Sequence, residues 1–352
     1  MGDRHSRPWW LFMIKLLQSI FGSNESAGRY PEALVEEAME RVVDGIDPRL
    51  RLLPGYRKRL REPVMTAIDQ VIRIVDALPA PISAAAADFS ANALLSACFV
   101  SADSMREILG NDLQLDAYRN SLIGTDVSPC LLLLVERCEK NILGVELCGE
   151  VLRNDVAQVS VSFRSPRVVE VAAEEAELRR QLKRRAFDHL IHLALQRIGE
   201  VNEEKDSLSK QRGLLQAKHS LLRRSGMGFE QTAGELARVE AELAEIDAQL
   251  QALNPEGNAL ESQLAIAAET LGDAERQLWG DHLEIHLDRM NIRRNPGEEG
   301  ARRLTLNEIG NANGQRLTAM LLTLPLRELP QRKTLKAGME QSLAELRGTF
   351  SR

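Results

Sequence analysis

The sequence predicts an α+β protein. It has an N-terminal helical domain, a small antiparallel β domain interrupted by a long antiparallel coiled-coil hairpin, and a C-terminal helix. Three observations carry this expectation. Apolar residues recur at alternating steps of three and four through two arms between Glu174 and Trp279, the spacing that keeps one helix seam facing another. Strand-like alternation appears on both sides of those arms. Aromatic residues are only 4% of the chain while 44% is hydrophobic and 27% charged, a composition typical of long helices rather than of aromatic-rich cores.

The segments follow in order. Residues 1–29 form an amphipathic helix and linker, and 30–128 a helical domain. Residues 129–173 are the first part of the β domain, and 174–279 the hairpin. Residues 280–330 complete the β domain, and 331–352 form the closing helix.

In the first segment Trp9, Trp10, Phe12, Met13, Leu16, Leu17, Ile20 and Phe21 supply an apolar face beside Lys15, Gln18 and Ser19, with Arg4 and Arg7 upstream. As a helix this run spans about 21 Å, too short for a bilayer core. It fits the interface of a membrane, with Trp at headgroup depth. Docking on protein accounts for the same pattern.

The helical domain shows apolar stripes over Glu32–Val43 and Arg57–Leu78. Pro79 and Pro81 end the second, and Ser101 caps a third helix that Gly110 stops. The run Arg57-Lys58-Arg59-Leu60-Arg61 sits at a helix start, where the dipole disfavours cations, so acidic partners or solvent must receive it.

From Pro129, short alternating runs are separated by turn signals at Glu139-Lys140-Asn141, Arg153-Asn154-Asp155 and Arg164-Ser165-Pro166. These predict an antiparallel meander, with a helix over 130–152 as the competing reading because Leu and Glu favour helices. Leu283, Ile285 and Leu287, then Leu304 and Leu306, resume the alternation. Asn311-Ala312-Asn313-Gly314 marks a hairpin turn.

The hairpin's returning arm carries Leu236, Val239, Leu243, Ile246, Leu250 and Leu253, then Leu260, Leu264, Ala267, Leu271, Ala274 and Leu278. Asn254-Pro255-Glu256-Gly257 interrupts the run without changing its register, which predicts a kink. The outgoing arm places Lys205, Arg212 and His219 on its seam among Phe187, Ile191, Ala194, Ile198, Val201, Leu208, Leu215 and Leu222. Their stems can cover the facing leucines while their heads reach water, or meet acids of a second molecule. Ala233, Ala237, Ala241, Ala244, Ala248 and Ala252 form a small-residue stripe. It offers a second seam for a homo-oligomer, or simply reflects alanine's helix propensity. The turn between the arms carries Met227 and Phe229, a candidate tip contact for a protein partner.

Candidate chemistry is sparse. Arg179, Arg180, Lys183, Arg184, Arg185, Arg293 and Arg294 gather in sequence near the hairpin base, a candidate anionic-ligand patch. Neighbouring Glu174, Glu175 and Glu177 can instead pair with them. His189, His192, His282 and His286 raise a metal site, but the last two would stand about 13 Å apart along a strand. Phosphate-loop, dinucleotide, nucleophile-elbow and zinc-protease motifs are lacking. The four cysteines have no zinc or redox spacing, so reduced, buried thiols of a cytoplasmic protein are expected. A net charge of −6 gives no global attraction to nucleic acid.

The expected function is therefore a non-enzymatic scaffold or adaptor without cofactor or metal, acting through the hairpin. The terminal helix can place it at the cytoplasmic membrane face. The alternatives are a nucleic-acid- or ribosome-associated factor using the basic patch, and a metal-binding protein.

Overall fold

The computed structural model describes residues 30–122, 127–148, 151–225, 230–253 and 258–332. The N-terminal apolar face from Trp9 to Phe21, the tip residues Met227 and Phe229, the interruption at 254–257 and the closing helix beyond Arg332 lie outside the described residues. The chain is a mixed helix and strand protein with an antiparallel sheet. It divides into two compact units. One contains residues 30–70 and 186–277, the other 71–185 and 278–332. Both the 30–128 and the 174–279 segments thus contribute to each unit, a division that local periodicity does not register.

The first unit is helical. Helix α1 (Glu32–Ile46) buries Val35, Ala38, Met39, Val42 and Val43, the stripe expected from sequence. Helix α2 (Tyr56–Asp76) enters this unit through residues 56–70. The basic run at its start finds acids within the protein: Arg57 reaches Glu40, Arg61 pairs with Glu32 and Arg59 with Glu261. Glu40 also accepts from Tyr56 and Arg51. Burial works to raise its carboxyl pKa, and these three donors together hold it below the ordinary value.

Helix α6 (Glu175–Ser225) is 51 residues long. From residue 186 onward it belongs to this unit, with α7 (Glu230–Leu253), α8 (Ala259–Gly272) and α9 (Ala274–Gln277). Leu264, Ala267, Leu271 and Ala274 are buried as the heptad spacing requires. Leu278, however, leaves the seam. It begins strand β4 (Leu278–Leu287) and pairs with Asn311, while Trp279 lies opposite Gly310. The ring packs so closely there that a Cβ on Gly310 would come within 2.6 Å of it. A good heptad position is therefore overridden by sheet pairing.

The second unit is built on a sheet. Its remaining strands are β1 (Ile82–Ser83), β2 (Cys130–Cys148), β3 (Val151–Ala172), β5 (Arg302–Asn311) and β6 (Arg316–Thr323). The order is β3-β2-β6-β5-β4, antiparallel throughout, with β1 added parallel to β6. Period-two alternation sends one set of side chains to each face. Leu131, Leu133, Val135, Leu304, Leu306, Met320 and Leu322 meet α3 (Ala93–Cys98), α4 (Ala102–Gly110) and α5 (Leu113–Asn120). Cys130, Leu132, Ala319 and Leu321 meet Val75, Leu78, Leu178 and Leu182, from the end of α2 and the start of α6. The strand reading of 130–152 holds over its described residues. Ser101 caps α4, as its sequence position requires.

The expected meander between 130 and 172 is instead a single long β-hairpin of 19- and 22-residue strands. Glu139-Lys140-Asn141 lies inside β2. The other two turn signals fall at register shifts, where β3 bulges. Asp155 has φ 60° and Ser165 φ 52°. Turn-forming residues supply the same left-handed backbone in a bulge as in a reversal, and only the partner strand distinguishes the two. A further shift near Val168 is held by Asp112, whose carboxylate caps α5 and also accepts from Val168 N.

Candidate interaction site

In the first unit, two of the three basic seam positions of α6, Arg212 and His219, meet acids of α7. Arg212 Nε lies 2.7 Å from Asp247. His219 Nε2 lies 3.1 Å from Glu240. The two contacts are seven residues apart on each helix, and the numbers rise on α6 as they fall on α7. Along this stretch the apolar seam is shielded: Val239 and Ile246 are buried, and Leu208, Leu215 and Leu222 half-buried. The outward faces stay in solvent. Leu214 and Leu221 are 73% and 66% exposed, one heptad apart, and the alanines from Ala237 to Ala252 are exposed as well.

Nearer the start of this stretch, Arg41 of α1 holds Asp188 through two nitrogens. That contact raises the guanidinium pKa. Ile191 fits against Gly45, where an added Cβ would approach to 2.8 Å. His189 and His192 have ring centroids 6.4 Å apart. Burial, then the neighbouring imidazole, pushes the His189 pKa down.

The predicted anionic-ligand patch falls in the second unit, and six of its seven cations are engaged internally. Arg179 pairs with Glu175 and donates to the carbonyls of Val75, Leu78 and Pro79, closing the end of α2. Arg180 pairs with Glu177, Lys183 with Asp76 and Arg185 with Glu170. Arg293 reaches Glu139, and Arg294 reaches Asp288. Arg184 has an intermediate exposure. The patch residues thus serve several separate structural contacts instead of converging on one ligand position.

The histidines divide likewise. His189 and His192 belong to the first unit, His282 and His286 to the second. His282 Nδ1 lies 2.7 Å from Asn307, and His286 lies 3.9 Å from Glu284. Among the described residues no three His, Cys, Asp or Glu side chains gather to hold a metal ion. Cys98 is half-buried, and burial pushes its thiol up to about 12.

One surface escaped sequence reasoning. β2 pairs with β6 only through Cys130–Val135. Beyond that, β2 and β3 continue as a ribbon, with β3 touched again by Asn291, Ile292 and Arg293. Ile142, Leu143 and Val145 on this ribbon are 37%, 72% and 55% exposed. The available signal was their adjacency: apolar residues on both parities of an alternating strand cannot all face one core.

Among the described residues, no helix is long and apolar enough to cross a membrane. The chain matches no protein family, no curated protein and no solved structure. The class defined by its folding is an α+β protein with a 51-residue helix and a mixed-length antiparallel sheet.

Proposed function

We propose that the protein is a non-enzymatic scaffold or adaptor that binds a protein partner through an antiparallel coiled-coil hairpin formed by α6, α7 and α8. The observation that carries this reading is the heptad-spaced pairing of Arg212 with Asp247 and His219 with Glu240. An ion pair and a histidine–carboxylate contact one heptad apart, beside a shielded apolar seam, fix the register of two helices. Leu214 and Leu221 are exposed on the outward face of α6. In this reading Met227 and Phe229 form the end contact, and the residues from Trp9 to Phe21 place the chain at a cytoplasmic membrane face. Homo-oligomerisation through the exposed alanines belongs to the same reading. The internal pairing of the basic patch favours this account over a nucleic-acid-binding one.

The test is an affinity pull-down at native expression level. The full chain is compared with one lacking Ser225–Phe229 and with the double variant Leu214→Glu/Leu221→Glu, each checked for unchanged helicity. Loss of a specific partner from either variant is the expected result. An identical partner set from all three contradicts the hairpin as the contact surface. The membrane component is tested by co-sedimentation with anionic liposomes, where removal of residues 2–22 should abolish binding.

A further inference from the structure

Charge is divided between the two helices α6 and α7 of the first unit. Between Lys205 and Arg224 of α6 the only carboxylate is Asp206, and between Glu235 and Leu253 of α7 the only Lys or Arg is Arg238. Part of this charge is consumed within the chain, where Arg212 meets Asp247, His219 meets Glu240 and Arg238 meets Glu242. Lys210 and Lys218 of α6 stay exposed, as do Glu235 and Glu245 of α7. None of these four has an ion-pair partner among the described residues.

Leu214 and Leu221 flank Lys218 on the outward side of α6, 73% and 66% exposed. On α7, Ala241 and Ala248 are exposed with Glu245 between them. Both pairs are spaced by one heptad, so the leucines can sit as knobs over the small side chains of an antiparallel helix. Setting Leu221 opposite Ala241 sets Leu214 opposite Ala248 and brings Lys218 beside Glu245. A shift of one heptad either brings Lys218 beside Arg238 or carries Leu214 past Leu253, the end of α7. One register therefore satisfies apolar spacing and charge together. Within one chain α6 and α7 already meet through their seams, so this second match is available only between copies. A flat anionic surface would meet the carboxylates of α7 along with the lysines of α6, whereas a second hairpin brings opposite charges together.

We propose that a second copy of this chain docks on Leu214 and Leu221 through its own α7. The proposal rests on the coiled-coil hairpin reading and names the occupant of its outward face. Lys218 of one copy pairs with Glu245 of the next. Arg224 comes level with Arg238, whose like charge Glu242 offsets. Because α6 runs antiparallel to the neighbouring α7, successive hairpins point the same way. The contact is heterologous: one copy offers α6 and the next offers α7, and each keeps its other surface for a further copy. Such a contact builds rings or rows rather than closed two-fold dimers.

Sedimentation equilibrium of the full chain over a concentration series tests this. The mass of the unaltered chain is expected to rise past that of a dimer. Leu214→Glu/Leu221→Glu removes one surface and Ala241→Glu/Ala248→Glu the other, so each variant alone is expected to stay monomeric. Mixed in equal amounts they should form a dimer and nothing larger, because each supplies the surface that the other lacks. A mixture that stays monomeric, or either variant still self-associating alone, overturns the proposal. Should circular dichroism show lost helicity in either variant, a charge exchange decides. Lys218→Glu should raise the concentration of half-association about ten-fold, and adding Glu245→Lys to the same chain should restore it. Failure of that restoration overturns the proposal. A full chain that is monomeric at every concentration also overturns it, but leaves the scaffold reading standing. That reading falls separately, if the native-level pull-down returns the same partners from every variant.

Discussion

The Glu308 side chain is only 5% exposed, and Arg137 Nε meets its carboxylate at 2.6 Å. Arg137 also reaches Glu139, which in turn holds Arg293. The Glu308 contact, followed by the opposing cost of burial, governs the Arg137 guanidinium, whose pKa is raised. Removing one member of a buried pair leaves the other charge without compensation. Glu308→Ala should therefore destabilise the second unit by about 3 kcal/mol, read as a lowered urea midpoint. Replacing Arg303, which pairs with Glu284 at the surface and is 68% exposed, should leave that midpoint almost unmoved.

His189 makes the opposite electrostatic statement. Its folded pKa is depressed by burial and by His192, so the unfolded chain takes up the proton first. Stability contributed by neutral His189 is present above the unfolded value of about 6.5 and falls as pH drops from there towards the depressed folded pKa. The thermal stability of the helical unit should fall between about pH 7.5 and 5.5. His189→Phe should flatten that dependence. A profile unchanged by the substitution would remove His189 as its source.

At the scale of elements, the bulges of β3 hold two non-glycine residues in left-handed backbone. Serine there is strained more than aspartate, whose side chain can bond locally. Ser165→Gly should raise the melting temperature, by about 0.5–1 kcal/mol of added stability, and Asp155→Gly by less. On α7, Ile246→Ala opens the buried seam and should cost about 2–4 kcal/mol in local stability. Exposed Ala244→Ser should stay within about 0.5 kcal/mol. Hydrogen exchange along α6 and α7 separates the two.

These elements also show why parts of the fold were legible in sequence. The seam leucines, the Ser101 cap and the Asn311–Gly314 turn depend on neighbours a few residues away, and local pattern reports them. The bulges at Asp155 and Ser165 look like reversals because turn chemistry is local, whereas the strand that bridges them is distant. Leu278 reads as helix by spacing, yet Asn311 pairs it into the sheet. The arginines from 179 to 185 read as a patch because Val75, Asp76 and Leu78 are about a hundred residues away in sequence. The exposed ribbon residues Ile142, Leu143 and Val145 were missed for the same reason: nothing local states that the pairing of β2 with β6 ends at Val135.

At the scale of the molecule, two units share helices α2 and α6 along the chain, and the proposed contact surface lies within the first. Its function depends on whether α6 and α7 run side by side in opposite directions over their whole length. Spin-label distances test this most directly, with cysteines introduced at 210, 224, 235 and 249 and the native cysteines replaced by alanine. The antiparallel register predicts short, narrow distances for 210/249 and 224/235. It predicts longer ones for 210/235 and 224/249, which are offset along the axis by about 21 Å at 1.5 Å per residue. Matched pairs no shorter than the crossed pairs would contradict the coiled-coil hairpin, and with it the proposed mode of binding.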